Sequence, residues 1–142
     1  MAEGVFLDTV GLIALLSRDD EYHPNAADVF HQIGQAERPV ITTDLVLAEV
    51  GNGLARTALR EDVCWLIGEL EASAAATVVY VDRRQFAEGL ALYAARADKR
   101  WGLVDCVSFV VMKAMGLTDA FTADRHFQQA GLKCLMSPVR GR

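Results

Sequence analysis

The sequence of 142 residues predicts an α/β fold: a three-layer α/β/α sandwich in which helices cover both faces of a parallel sheet. Short apolar stretches alternate along the chain with longer segments in which apolar residues recur at helical spacing. This alternation is typical of right-handed crossover units, which pack helices on both faces of a parallel sheet. Because no internal repeat, low-complexity stretch or linker interrupts it, we expect a single domain spanning residues 1–142.

The elements of the first half can be placed by their capping and periodicity signals. Pro24 begins a helix, since proline is favoured in the first turn, where its missing N–H is not needed. Thr43 or Asp44 caps another helix, because a side-chain oxygen at that position can accept a hydrogen bond from the first turn. In chain order we predict a strand at 5–7, a helix to 16, a helix from 24, a strand at 39–42, and helices from 43 or 44 to about 58 and at 60–74.

The second half contains the clearest strand of the chain. Residues 77–81 are β-branched and aromatic, which favours extended structure. The following segments show helical periodicity and then two further short apolar stretches. We predict helices at 84–99 and 104–115, strands at 120–122 and 133–136, and a helical turn at 126–129 between those strands.

Composition excludes several classes of protein. Hydrophobic residues make up 52% of the chain and charged residues 23%, which argues against intrinsic disorder. No apolar run approaches the length of a membrane span, and the first four residues lack the basic start of a signal peptide. The three cysteines, Cys64, Cys106 and Cys134, lack zinc-site spacing and indicate reduced thiols. We therefore expect a cytoplasmic protein without a membrane partner.

Charge is distributed unevenly along the chain. The net charge is −5, but residues 1–98 hold 7 Lys/Arg against 16 Asp/Glu, whereas residues 99–142 hold 7 against 3. The balance is thus −9 in the first part and +4 in the second. A basic C-terminal third on an acidic body is compatible with docking a polyanion, although a solvated surface explains such an asymmetry about as well.

Strand ends provide a rule for sorting the acidic residues. In parallel α/β folds ligands bind at the carboxyl ends of the strands, so an acid just after a strand can reach the site. Asp8 directly follows the first predicted strand and Asp124 stands just beyond the fourth. For both residues, capping of the next helix is the alternative interpretation.

Two further acids lie on apolar helices. Glu49 shares a helix face with Asn52 and Arg56, and this polar stripe is either functional or simply the wet side of the helix. Asp105 begins the most apolar helix of the chain, where a lone carboxylate must be paired, coordinated or neutralised. Capping is again the alternative for Asp105, and we expect Ser108, one turn later, to hydrogen-bond it.

Other ionisable residues do not meet these criteria. Asp119 precedes the fourth strand and should lie near the opposite edge of the sheet. A helix cap is sufficient to explain Asp82. No two histidines show metal-ligand spacing, so we expect surface or capping roles for all three, which are His23, His31 and His126.

The four acids lie in segments that resemble the PIN domain and, within that family, the VapC-type toxins of bacterial toxin–antitoxin pairs. The matching segments are FLDTVGLI (6–13), TDLVLAEVGN (43–52), LVDCVSF (103–109) and FTADRHF (121–127). The resemblance implies a four- or five-stranded parallel sheet between helices, Mg²⁺ or Mn²⁺ at an acidic cleft, and endoribonuclease activity. It also implies an antitoxin protein as partner, a homodimer, and supporting or substrate-positioning roles for Thr9, Asn52, Ser108 and Thr122.

The residue types agree with that chemistry. Carboxylate oxygens are the ligands that Mg²⁺ and Mn²⁺ prefer, and paired metal ions can activate water and stabilise a leaving oxygen. We assign Asp8 as a bridging ligand, Glu49 and Asp105 as direct or water-mediated ligands, and Asp124 to the second cation or its waters. Weaker candidates for phosphate contacts are Arg56, Lys99, Arg100 and Arg125.

Two alternatives remain open at this point. One is a PIN-like module that binds RNA or protein without catalysis, and the other is a ribonuclease that is not paired with an antitoxin. A phosphate receiver or a dehalogenase-type phosphatase would share the fold class but requires residues that are missing here. In particular, Val10 stands where the phosphatase needs its second Asp. The Gly-x-Gly-x-x-Gly turn of dinucleotide-binding enzymes is missing as well.

Overall fold

The computed structural model describes residues 3–137, so the ends of the predicted 1–142 domain lie outside the described residues. Its strands and helices follow the predicted order. They are β1 (Val5–Leu7), α1 (Thr9–Leu16), α2 (His23–Gln35), β2 (Val40–Thr43), α3 (Asp44–Gly53), α4 (Arg60–Ala72), β3 (Ala76–Val79), α5 (Arg83–Ala95), α6 (Leu103–Ala114), β4 (Asp119–Phe121), α7 (Arg125–Gln129) and β5 (Lys133–Cys134).

The five strands form one parallel sheet in the order β3-β2-β1-β4-β5, which confirms the predicted fold class. β1 lies at the centre and is buried along its whole length. In register, Phe6 pairs with Ile41 of β2 on one side and with Ala120 of β4 on the other. The continuous apolar character of β1 follows from this position, because a central parallel strand is covered on both faces.

Helices cover both faces of the sheet, as contacts of the aromatic side chains show. Phe6 and Ala120 are register partners, and the ring of Phe6 lies 6.5 Å from that of Phe127 on α7. Phe121, the next residue along β4, points to the opposite face because side chains alternate along a strand. Its ring lies 5.5 Å from that of Phe30 on α2. The sheet is therefore the middle layer of a three-layer sandwich.

Some predicted element ends are displaced. α3 ends at Gly53 rather than near residue 58, and the chain then turns at Leu54, which accepts a hydrogen bond from the Thr57 hydroxyl. α5 ends at Ala95 rather than at residue 99. Beyond it, Arg96 pairs with Asp98 and its guanidinium stacks on Trp101. Side-chain contacts of these loops compete with the helical continuation that periodicity alone predicts.

The strand order reverses at β1, which creates a crevice in the sheet. From β1 the chain moves outward through β2 to β3, and it then returns to β4 on the other side of β1. At such a switch point the loops after neighbouring strands diverge, so the carboxyl ends of β1 and β4 border an opening.

Within residues 3–137, no helix has both the length and the apolarity needed to cross a membrane.

Candidate active site

Asp8 lies at the carboxyl end of β1, where its side chain is almost completely buried (2% exposed). It holds the N-cap position of α1, but its side chain makes no capping hydrogen bond. Instead, Oδ2 accepts a hydrogen bond of 2.7 Å from the hydroxyl of Thr122. The capping interpretation is thus wrong for Asp8, and the carboxylate turns toward the loop that follows β4.

The environment of Asp8 disfavours its charge. Burial raises the pKa of its carboxyl group from 3.8 to about 7, and the negative charges of Asp105 and Asp124 add to this rise. The hydrogen bond from Thr122 acts in the opposite direction but does not offset the burial. Asp8, Asp105 and Asp124, which we call the acidic cluster, therefore interact electrostatically near the carboxyl ends of β1 and β4.

Thr122 connects two of these acids. Its hydroxyl donates to Asp8 and accepts a hydrogen bond of 3.1 Å from the backbone N–H of Asp124. Thr122 is fully buried and directly follows β4, whereas Asp8 directly follows β1. Their hydrogen bond therefore connects the carboxyl ends of these two neighbouring strands. The Thr122 side chain thereby helps to orient the Asp8 carboxylate, which also accepts a hydrogen bond from the backbone of Thr9.

Replacing Thr122 with valine should lower the free energy of unfolding by about 1–3 kcal/mol, because a buried carboxylate loses its donor and a backbone N–H its acceptor. Urea denaturation of the metal-free protein measures this change. The matched control is Thr77→Val, since Thr77 is exposed on β3 and the change should be nearly neutral there. Equal denaturation midpoints for the two variants would contradict the connecting role of Thr122.

His126 joins Asp124 to Asp105. Its ring atom Nδ1 lies 3.0 Å from Oδ2 of Asp105 and 3.4 Å from Oδ1 of Asp124. The expectation of a simple surface or capping role for His126 is therefore wrong. Asp105 lies 21 positions earlier in the chain, so a search for two-His ligand spacing could not detect the contact. The only local signal was the position of His126 two residues after a strand-end acid.

Asp105 and Asp124 also take part in capping, as the alternative interpretations predicted. The Asp105 carboxylate accepts a hydrogen bond from the backbone N–H of Gly102, and Asp124 accepts one from the N–H of His126. Burial nevertheless raises the pKa of the Asp105 carboxyl group, and the charge of Asp124 contributes to this rise. Capping and membership of the acidic cluster are thus compatible in these residues.

Ser108 does not hydrogen-bond Asp105, which corrects the expectation from helical spacing. Its hydroxyl is buried on α6 and has no hydrogen-bond partner within residues 3–137. The Asp105 carboxylate instead contacts the backbone N–H of Gly102 and the ring of His126, at the N-terminal end of α6.

Glu49 reaches the same region from α3. Its side chain is exposed, as expected for a residue on the solvent-facing side of a helix. Its carboxylate accepts a hydrogen bond of 2.7 Å from the Thr9 hydroxyl. Thr9 directly follows Asp8, so this contact connects Glu49 to the residue next to Asp8. Asn52, one turn further along α3, is exposed.

The positions of the remaining candidates are as follows. Asp119, at the amino end of β4, forms an ion pair of 2.8 Å with Arg38, as expected for an acid outside the cluster. Asp82 caps α5 by accepting a hydrogen bond from Gln85. Of the candidate phosphate contacts, Lys99 is partly buried with its amine 4.0 Å from Asp98, and three are exposed, namely Arg56, Arg100 and Arg125.

The charge balance of the cluster favours a bound cation. Within residues 3–137, no lysine or arginine nitrogen lies within 4.0 Å of the carboxylates of Asp8, Glu49, Asp105 or Asp124. Asp105, Asp124 and His126 each offer a ligand atom, and these atoms lie within 4.8 Å of one another. Because oxygen donors dominate the set, the residues present fit a hard divalent ion such as Mg²⁺ or Mn²⁺.

Comparison with solved structures identifies proteins of the same fold. The structure of Mycobacterium tuberculosis VapC20, described as a sarcin-ricin loop cleaving toxin, superposes with a TM-score of 0.80 at 22% identity, covering 93% of this chain and 98% of that one. FitAcB from Neisseria gonorrhoeae gives a TM-score of 0.62 at 20% identity, covering 92% and 95%. FitAB bound to an IR36 DNA fragment gives 0.63 at 19% identity, covering 92% of each chain.

Comparison of the sequence with curated proteins gives no significant match. The model of the PIN domain family, in contrast, matches residues 5–133, which include all four acids and both threonines that hydrogen-bond them. With this match across most of its length and the fold that it shares with VapC20, the chain belongs to the PIN domain family.

Proposed function

We propose that this PIN domain is a Mg²⁺- or Mn²⁺-dependent endoribonuclease whose catalytic and metal-binding residues are Asp8, Glu49, Asp105 and Asp124. The observation that carries the proposal is the convergence of Asp8, Asp105 and Asp124 at the carboxyl ends of the strands, where none of the lysines and arginines among residues 3–137 forms an ion pair with them. Such an arrangement destabilises the empty protein, since two carboxylates 4 Å apart repel by about 4 kcal/mol at an effective dielectric constant near 20. A divalent cation offsets this repulsion.

Each acid contributes in a way that follows from its surroundings. Asp8 is buried and accepts a hydrogen bond from Thr122, and it would serve as the ligand that two cations share. Asp105 and Asp124 are partly exposed and offer oxygens at the open side, where a phosphate can approach. Glu49, whose carboxylate accepts a hydrogen bond from Thr9, would contribute a further oxygen ligand from α3. Bound divalent ions lower the pKa of water and neutralise charge on a phosphodiester, which is the chemistry required for hydrolysis.

Substrate binding would involve the basic second part of the chain. Arg125 directly follows Asp124, and Arg100 lies shortly before the helix that carries Asp105. Together with Lys99 and Arg56 they are candidates for contacts to the RNA backbone. Asn52, Ser108, Thr9 and Thr122 complete the proposed set of supporting residues. Binding through such phosphate contacts should weaken as the salt concentration rises.

We further infer that the protein acts as the toxin of a type II toxin–antitoxin pair. The support is the fold shared with VapC20 and with FitAcB. On this proposal its partners are RNA, an antitoxin protein and a second copy of the chain, it acts in the cytoplasm, and residues 1–142 form one nuclease domain. A short neighbouring reading frame that encodes a DNA-binding protein would support the pairing.

RNA cleavage by the purified protein tests the proposed activity. We expect structured and unstructured RNA to be cleaved with Mn²⁺ or Mg²⁺ and to remain intact with chelator. Asp124→Asn should reduce the cleavage rate by at least about a hundredfold, because a metal-binding carboxylate is lost. The control is Asp82→Asn, since Asp82 also follows a strand but only caps α5, and asparagine caps equally well. Intact RNA under all conditions would instead favour a PIN-like module that binds without catalysis.

A further inference from the structure

Three side chains at the open side of the crevice each offer a ligand atom, and these atoms lie within 4.8 Å of one another. Nδ1 of His126 lies 3.0 Å from Oδ2 of Asp105 and 3.4 Å from Oδ1 of Asp124. The side chains are partly exposed, at 30%, 17% and 23% for His126, Asp105 and Asp124. Water or a substrate oxygen can therefore reach the same point from outside.

We propose that His126 is itself a ligand of the bound cation through Nδ1, and that this nitrogen makes the site prefer Mn²⁺ and related transition-metal ions over Mg²⁺. The inference rests on the cation site of the proposed nuclease and adds to it a fifth side chain and a metal preference.

The distances agree with adjacent positions in one coordination shell. Two ligands at right angles, each about 2.1 Å from an octahedral ion, are separated by about 3.0 Å. The separation of Nδ1 from Oδ2 of Asp105 equals this value, and that from Oδ1 of Asp124 exceeds it slightly. The three atoms are thus close enough to one another to belong to one coordination shell.

The chemistry of the ring accounts for the preference. Neutral imidazole carries one proton, and with that proton on Nε2 the lone pair of Nδ1 is free to bind a metal ion. Imidazole nitrogen suits first-row transition metals, whereas Mg²⁺ favours carboxylate, carbonyl and water oxygens. Without a metal ion, the same ring with its proton on Nδ1 donates a hydrogen bond to Asp105. In the metal-free protein His126 therefore hydrogen-bonds Asp105, and in the metal-bound protein it can bind the cation together with both acids.

Mn²⁺ bound to the full-length protein provides a direct test. In electron spin echo spectra, a nitrogen atom coordinated to Mn²⁺ modulates the signal. We expect this modulation in the unaltered protein and its loss in His126→Asn. The variant should also bind Mn²⁺ at least about tenfold more weakly, because losing a residue that only hydrogen-bonds a metal ligand already lowers metal affinity by about that factor. Its affinity for Mg²⁺, measured by competition, should remain unchanged.

His31→Asn is the matched control, because His31 lies exposed on α2 and contacts Gln35. This variant should keep both the modulation and the Mn²⁺ affinity. Bound Mn²⁺ without nitrogen modulation in the unaltered protein, or an undiminished Mn²⁺ affinity in folded His126→Asn, would overturn the role of His126. So would a failure of the unaltered protein to bind Mn²⁺. The proposed nuclease activity fails by a different result, namely intact RNA in the presence of both Mg²⁺ and Mn²⁺.

Discussion

Asp8→Asn should abolish RNA cleavage and at the same time stabilise the metal-free protein at pH 8. In the unaltered protein, burial and two neighbouring carboxylates oppose the charge of Asp8, which is ionised at this pH. A rise in pKa from 3.8 to about 7 corresponds to a cost of up to about 4 kcal/mol. Asparagine removes that cost, and its side-chain oxygen can still accept the hydrogen bond from Thr122.

The pH dependence of this effect has a defined sign. Between pH 4 and pH 7 the folded protein keeps a proton on Asp8 that the unfolded chain has released. The free energy of unfolding of the metal-free protein should therefore fall as the pH rises through this range. Below pH 4 the carboxyl group is neutral in both states, so the difference between Asp8→Asn and the unaltered protein should disappear.

Thermal unfolding with chelator and with Mn²⁺ measures both parts of the prediction. Mn²⁺ should raise the melting temperature of the unaltered protein, because it binds only the folded state, and should raise that of Asp8→Asn much less. Asp82→Asn is the control and should behave like the unaltered protein under both conditions. A clearly lower melting temperature for metal-free Asp8→Asn at pH 8 would mark Asp8 as a structural residue.

Gly11→Ala should strongly destabilise the protein, although alanine is the better helix former. A Cβ atom at Gly11 in α1 would lie 2.1 Å from the carbonyl oxygen of Phe121 and 2.6 Å from its ring. The backbone of β4 would have to move away from α1, which should lower the free energy of unfolding by about 1–3 kcal/mol or more. Since Thr122 follows Phe121, its hydrogen bond to Asp8 should be lost as well.

Gly68→Ala provides the opposite expectation within the same type of element. A Cβ atom at Gly68 in α4 would meet no atom of residues 3–137 within 4 Å, so the higher helix propensity of alanine should stabilise the protein by up to about 1 kcal/mol. Urea denaturation of both variants checks the signs, and the binding of Mn²⁺ to Gly11→Ala checks the site. A stable Gly11→Ala variant that binds Mn²⁺ normally would contradict the tight packing of α1 on β4.

The fold and the strand-end positions of two acids could be predicted because they depend on local signals. Alternation of short apolar stretches with amphipathic helices predicted the parallel sheet, and the position after a strand identified Asp8 and Asp124. These signals reflect burial and chain direction, which neighbouring residues in the sequence determine. Helix ends were less predictable. At Arg96, for example, an ion pair and a stacked indole replace the helix that periodicity suggested.

The contacts within the site could not be predicted in the same way. Thr9 and Glu49 are 40 positions apart, and Thr122 and Asp8 are 114 apart, so only the folded sheet and its helices bring them together. Ser108 shows the converse error, since correct helical spacing did not produce the expected hydrogen bond. His126 was set aside because a rule based on pairs of histidines does not recognise one ring between two carboxylates.

The central place of β1 has a consequence for biosynthesis. On the ribosome, β1, β2 and β3 are translated well before β4, so one edge of β1 remains unpaired until residues 119–121 have emerged. A nascent chain that stops short of this point lacks Thr122, Asp124 and His126, and its Asp8 has no hydroxyl to hold it. The acids and their hydrogen-bonding partners are therefore brought together only after residues 119–126 have been translated, and products that stop before these residues cannot assemble them.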